Sequence, residues 1–213
     1  MRLSELSALS GVPIATIKYY LREGLLPPRR QISASQAEYT EAHLRRIRLV
    51  RALIQVGGMS VARTREVLGA AEDESLDQHQ RFGTVLGALA GDQGTGEPEL
   101  PPGSTARATV DELLDEVGWE CCEDPQYWVL VRAVAALERL GYPCDLAHLR
   151  PYAAAVTPLA RTDLRTIGEF PPGEAQLEAV VALTVLNEPV LLALRRIAHS
   201  HVSGQEFGAR PAQ

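Results

Sequence analysis

LSELSALSGVPIATIKYYLREGLLPP, residues 3–28, holds two short helical patterns separated by a three-residue break. Leu3, Leu6 and Leu9 recur on one helical face, and Gly11 is a suitable stop, because a residue without a Cβ adopts the left-handed conformation that often ends helices. After Gly11-Val12-Pro13, apolar or aromatic residues return at Ile14, Ile17, Tyr20 and Leu21, and Gly24 closes the run. Two short helices joined by a tight turn follow. Residues 25–35 contain Pro27-Pro28 and no helical period, so they read as extended or looped. A β-hairpin wing fits there, with Arg29 and Arg30 near its start.

From Thr40 the 3.6-residue period resumes through Leu44, Ile47, Val50, Leu53 and Ile54, opening on a threonine cap and closing on Gly57-Gly58. Ser60 begins a further helix whose Val61, Val67 and Leu68 can cover the same core, which closes a first unit over residues 1–70. Residues 71–91 read as a connecting or dimerisation helix, although Gly83 and Gly87 each cost about 1 kcal/mol in a helix interior. Residues 92–104, rich in Gly, Pro and polar side chains, read as a linker. Residues 105–213 form a second unit with helical patterns over about 108–118, 125–140, 145–160 and 174–201. The last is the most apolar segment in the chain, and Pro189 is expected to kink or split it. The fold class is therefore mainly α: an N-terminal helix-turn-helix with a small β wing, linked to a C-terminal all-α helical bundle.

The 213 residues carry a formal net charge of −6, which by itself argues against a polyanionic partner. The distribution reverses that. Residues 1–70 hold eleven Lys and Arg against five Asp and Glu, whereas the remainder holds ten against twenty-two. A basic head on an acidic body is the footprint of one module that faces phosphates and one that does not. The arginine run Arg45, Arg46, Arg48 and Arg51 is read as one solvated helix face. No Gly-rich phosphate loop, nucleophile elbow or HExxH stands in the sequence, so catalysis is not expected. No uninterrupted apolar run of about 18 residues and no signal-peptide core are found, which points to a cytoplasmic protein without a membrane partner. Three cysteines, two of them adjacent, do not make a disulfide framework.

The quoted stretch, with the paired tyrosines Tyr19-Tyr20 and the exit Gly24-Leu25-Leu26-Pro27, then YTEAHLRRIRLVRALIQVGGMSVARTREVL, resembles the DNA-binding domain of MerR-family regulators. That resemblance implies a winged helix-turn-helix transcription regulator. It is expected to work as a homodimer that binds a two-fold operator in double-stranded promoter DNA, distorting it so that RNA polymerase initiation is switched. Carried over by position, the second helix offers Thr16, Lys18, Tyr19, Tyr20 and Arg22. Cations and short hydroxyls at the start of such a helix can reach base edges and phosphates. Tyr20 lies among Ile14, Ile17 and Leu21 and suits the core equally well. Arg29 and Arg30 are candidates for phosphate contact on the wing, and the amides after Ser60 for another. The chain departs from the family at Leu21, where an acid is common, and at Ser35-Gln36-Ala37, where a Gly-Tyr-Arg element is usual.

In the second unit Trp119, Tyr127, Trp128, Tyr142 and Tyr152 suit either a pocket for a small apolar or aromatic effector or an ordinary core. Alternatives are a metal- or thiol-responsive regulator and an architectural DNA binder without a ligand. Cys121, Cys122, Cys144, His148, His199 and His201 invite the metal reading, with Cys144 and His148 four residues apart on one helical face. The family's metal sensors, however, carry cysteines in the region corresponding to residues 71–105, which here has none. No metal site and no cofactor are expected.

Overall fold

The computed structural model describes residues 1–28, 30–33, 36–72, 78–90, 96–120 and 125–207. In chain order these form α1 (Leu3–Ser10), α2 (Ile14–Arg22), β1 (Arg30–Ser33), β2 (Gln36–Glu38), α3 (Glu41–Gln55), α4 (Val61–Ala71), α5 (Gln78–Ala90), α6 (Ala106–Val117), α7 (Pro125–Arg139), α8 (Leu146–Gly168) and α9 (Glu174–Phe207). The chain is mainly α, as its periodicity requires. The two short strands pair antiparallel with Arg30 opposite Glu38 and Gln31 opposite Ala37. The backbone divides into two compact units, Met1–Arg65 with Val181–Gln213, and Glu66–Val180.

In the first unit α1 packs on α2 and α3. Leu6, Ile17, Ile47, Val50 and Leu53 are fully buried, as their spacing predicts. Leu9 and Ile14 are instead 50% and 40% exposed. A three-residue step falls 60° short of a full turn, so Leu9 has drifted two such steps from Leu3 and leaves the core side. The arginine run is not one solvated face either: Arg45 and Arg48 are exposed, but Arg46 is only 5% exposed, between the buried Leu44 and Ile47. Helix α3 starts at Thr40, whose N–H donates to His43 Nδ1 at 3.2 Å. Before α3, the Tyr39 N–H donates to the Met1 carbonyl at 2.9 Å.

The second unit is built on α6, which packs against α7 and α8, with α5 against α7. Ala106, Val110, Leu113, Leu114, Tyr127, Val131, Val134, Leu149 and Ala153 make its core. Helix α8 runs past residue 160 to Gly168, because RTDLRTIG keeps the period and buries Ile167. Pro151 and Pro158 stand inside it.

Residues 96–105, within a stretch that reads as a linker by composition, are held to this unit. Leu100 packs on the core, Arg132 donates to the Gly96 carbonyl at 3.0 Å, and Arg107 pairs with Glu97 at 2.6 Å. Glu138 accepts from the Ser104 hydroxyl and, at 2.8 Å each, from the Thr105 N–H and hydroxyl, so that a residue of α7 caps the start of α6. The bonds from Ser104 and Thr105 hold the Glu138 carboxyl below its ordinary value, and a bidentate bond from Arg150 does the same for Glu116. A carboxylate with a depressed native pKa stabilises the fold above its unfolded value and loses that contribution as pH falls. Thermal melts of the wild type should therefore lose stability below about pH 4.5, and Glu138→Gln should flatten that acid limb. An unchanged limb would mean that this cap contributes nothing.

Helix α9 continues as one element through Pro189, so the expected split does not occur. Among the described residues it is long and apolar enough to cross a membrane by length and composition. Glu188, Arg195 and Arg196 interrupt its apolar run, and its first half is packed, with Val181 and Val185 buried.

Candidate nucleic-acid interface

The turn between α1 and α2 is closed by its own side chains. Gly11 takes φ 66°, the left-handed value anticipated for a helix stop. The Ser7 hydroxyl donates to the Val12 carbonyl at 2.6 Å, and the Val12 N–H donates to Ser10 Oγ at 3.3 Å. Val12 is buried beneath the turn, and Pro13 enters α2 with φ −56°, so α2 leaves the turn at a set angle.

Ile17 and Tyr20 fix which side of α2 faces inward, being 0% and 8% exposed. Tyr20 is thus a packing residue, and burial raises its phenol above the ordinary value against a smaller pull from Arg51. The outward side carries Ala15, Lys18, Tyr19 and Arg22, which at i, i+3, i+4 and i+7 share one face. Lys18 and Arg22 are exposed, Tyr19 and Thr16 half-buried. The Arg22 guanidinium sits 5.4 Å from the centre of the Tyr19 ring, so cation and aromatic plane are presented together. Helix α2 contains no acid, and Glu23, the next residue, is engaged by Arg65 at 2.6 Å. A groove carrying phosphate charge would meet two cations on this face. Ala15 is the member of the face that the sequence reading omits, and the i, i+3, i+4, i+7 spacing from Arg22 would have supplied it.

Arg29 lies outside the described residues, and Arg30 begins β1. Ser60 caps α4, accepting the Arg63 N–H at 3.1 Å on its hydroxyl. Arg51, half-buried on α3, donates to Gln55 at 3.2 Å.

The five aromatics of the second unit are not gathered into one site. Tyr127 is buried and donates to Asp111 at 2.6 Å, with the Trp128 ring edge-on at 4.7 Å and Arg107 lying 5.3 Å from that ring's centre. Trp119 and Trp128 pack on the core, whereas Tyr142 and Tyr152 are 61% and 47% exposed. A cavity of about 230 Å³ in this unit is lined by Pro101, Pro102, Gly103, Ser104, Ala135, Glu138 and Arg139, and by none of the five. That volume is below the range usual for drug-sized ligands.

Among the described residues no three His, Cys, Asp or Glu side chains are placed to hold a metal ion together. Cys121 and Cys122 lie outside the described residues. Cys144 is not on a helical face with His148, because Asp145 takes the extended N-cap position of α8 and accepts the His148 N–H at 2.9 Å. Cys144 is therefore left before the helix begins.

Residues 1–71 match the MerR HTH family of regulatory proteins. Over 50 residues the chain is 34% identical to the HTH-type transcriptional regulator ZntR homolog of Haemophilus influenzae, a match that covers 24% of this chain and 37% of that protein. The chain thus spans little more than a third of the curated relative it matches. The crystal structure of a transcriptional regulator from Streptomyces coelicolor A3(2) aligns over 100% of both chains with 43% identity and a TM-score of 0.76. The closed turn, the cationic outer face of α2 and these matches lead to one assignment: residues 1–71 are a MerR-family helix-turn-helix domain, in a chain that is similar over its whole length to a transcriptional regulator.

Proposed function

We propose that the protein is a cytoplasmic regulator that binds a two-fold promoter operator as a homodimer and distorts it to control RNA polymerase. The observation that carries this reading is the acid-free outer face of α2, where Lys18, Tyr19 and Arg22 stand over the buried Ile17 and Tyr20. In this reading α2 enters the major groove, Lys18 reads a base edge, Thr16 and Arg22 support it, and the β1–β2 hairpin acts as the wing. Arg29 and Arg30 contact the backbone beside that wing, and the amides after Ser60 approach a further phosphate. Domain roles follow: residues 1–70 bind DNA, residues 71–91 connect, and the helical remainder carries an effector site. Tyr127 with Asp111 beside it, Trp128 with Arg107 beside it, and Trp119 on the same core are the best candidates for a small aromatic effector.

Two substitutions test the DNA reading. Lys18→Ala should cost about 1–3 kcal/mol on the operator and much less on scrambled duplex, so the specificity ratio collapses. Arg29→Ala should weaken both duplexes by a similar factor and reduce the salt slope by about 0.9. Titrations of each variant against both duplexes at several salt concentrations separate the two behaviours. Unchanged operator affinity for Lys18→Ala would remove α2 from the reading role.

A further inference from the structure

Helix α9 changes character along its length. Val181 and Val185 are buried in the first half, and Val185 lies against Gly57 at the end of α3, within the unit that carries the recognition helix. Beyond Pro189 that cover is lost: Val190, Leu191, Leu194 and Ile197 are 53%, 41%, 59% and 65% exposed, and Val202 is 44% exposed. Val190, Leu194, Ile197 and His201 follow the 4-3-4 spacing of a coiled-coil seam, flanked by Leu191, Ala193 and Ala198. Arg195, Arg196 and Glu206, the Lys, Arg, Asp and Glu residues of this half, all fall at positions away from the seam. The seam also points away from the stripe of Val181 and Val185, since Leu194 and Val185 are 180° apart around the helix at 100° per residue.

We propose that this seam docks a second copy of the chain, α9 against α9. The inference deepens the homodimer reading above and rests on it, naming the surface on which the two copies meet. A seam of Val190, Leu194 and Ile197 that ends on His201 and carries no Lys, Arg, Asp or Glu is complementary to itself, as a two-fold contact requires. The seam with its flanks offers roughly 500–600 Å² per copy, hence roughly 1,000–1,200 Å² for a pair, where specific interfaces begin. Because Val185 ties α9 to Gly57 in the same unit, pairing the two seams joins two recognition helices in one assembly, as a two-fold operator demands. A membrane is the less suitable occupant, since Arg195, Arg196 and His199 stand on the side of this half opposite the seam, with Leu192 the apolar residue among them.

The test uses full-length protein in sedimentation equilibrium at micromolar concentration, with circular dichroism as the check on folding. The wild type is expected at twice its 23.2 kDa chain mass. The double variant Leu194→Glu, Ile197→Glu should sediment as a monomer with an unchanged helical spectrum. Its affinity for a two-fold operator should fall at least tenfold, while binding to an isolated half-site stays the same. Arg196→Glu, off the seam, should remain dimeric. Should the glutamates unfold the chain, Leu194→Ala, Ile197→Ala is the milder variant and should raise the dimer dissociation constant at least tenfold. A double variant that stays fully dimeric overturns the seam and leaves the dimer reading standing, whereas a monomeric wild type overturns both. Flotation of a monomeric wild type with vesicles of neutral and anionic phospholipid, lost in the double variant, would assign the seam to a membrane surface instead.

Discussion

Ile17→Ala should unfold the N-terminal unit about 2–5 kcal/mol more easily than the wild type, while Lys18→Ala, one residue along, should leave its melting temperature unchanged. Ile17 is fully buried, so truncation removes transferred apolar surface and leaves a cavity that the surrounding helices fill only in part. Its neighbour is exposed, and among the described residues no hydrogen bond or ion pair holds its side chain, so cutting it back should cost little stability. For a domain of this size each kcal/mol corresponds to about 4–8 °C, so the two variants should melt at least about 8 °C apart. Their DNA binding should differ in the opposite sense. The Ile17 variant, measured well below its melting point, should keep its preference for the operator, since the outer face of α2 is untouched. The Lys18 variant should stay folded and lose that preference. Parallel thermal scans and duplex titrations give both readouts, and equal melting temperatures would mean that α2 is not oriented by Ile17.

The helix-turn-helix was legible in the sequence because its determinants are local. Gly11, Gly24 and Gly58 take φ of 66°, 72° and 67°, each at a helix end that periodicity had marked. Thr40 and Ser60 open α3 and α4 within a few residues of the apolar positions that follow. The orientation of α2 was half legible: Ile17 is unambiguous, whereas Tyr20 has an apolar body and a polar tip, and only its 8% exposure decides for packing. Long-range features were not legible. The tie between Glu138 and Thr105 spans 33 residues, and a Pro- and Gly-rich stretch gives no sign of a distant carboxylate. The aromatics of the second unit share a composition and not a place, because spacing along separate helices says nothing of which rings meet. The sequence leads one to expect that Pro189 kinks or splits α9, and the split does not occur, because a proline that removes one N–H from a helix of 34 residues leaves the rest of the ladder intact. The grouping of the end of α9 with the first 65 residues has no signature in the sequence at all.

Gly57→Ala should destabilise the same unit by about 1–3 kcal/mol, although it adds a single methyl group. A Cβ at Gly57 would stand 2.5 Å from Val185 Cγ1 and 2.7 Å from the Leu53 carbonyl oxygen. Both distances are shorter than the 3.0 Å that real Cβ atoms respect. The two obstacles differ in kind. The Val185 methyl belongs to a side chain of α9 and can be removed by substitution. The Leu53 carbonyl is backbone at the end of α3, held by the Met59 N–H at 3.1 Å, and can yield only if the turn after α3 opens. Val185→Ala alone should cost about 1–3 kcal/mol, since the side chain is 4% exposed. Combined with Gly57→Ala it removes one of the two clashes, so the double variant should be more stable than the sum of the single effects by about 0.5–1.5 kcal/mol and still less stable than the wild type. Urea unfolding of the four proteins gives this cycle directly. Strict additivity would separate α9 from the end of α3, and with it the route by which pairing of the α9 seams could hold two recognition helices on one operator.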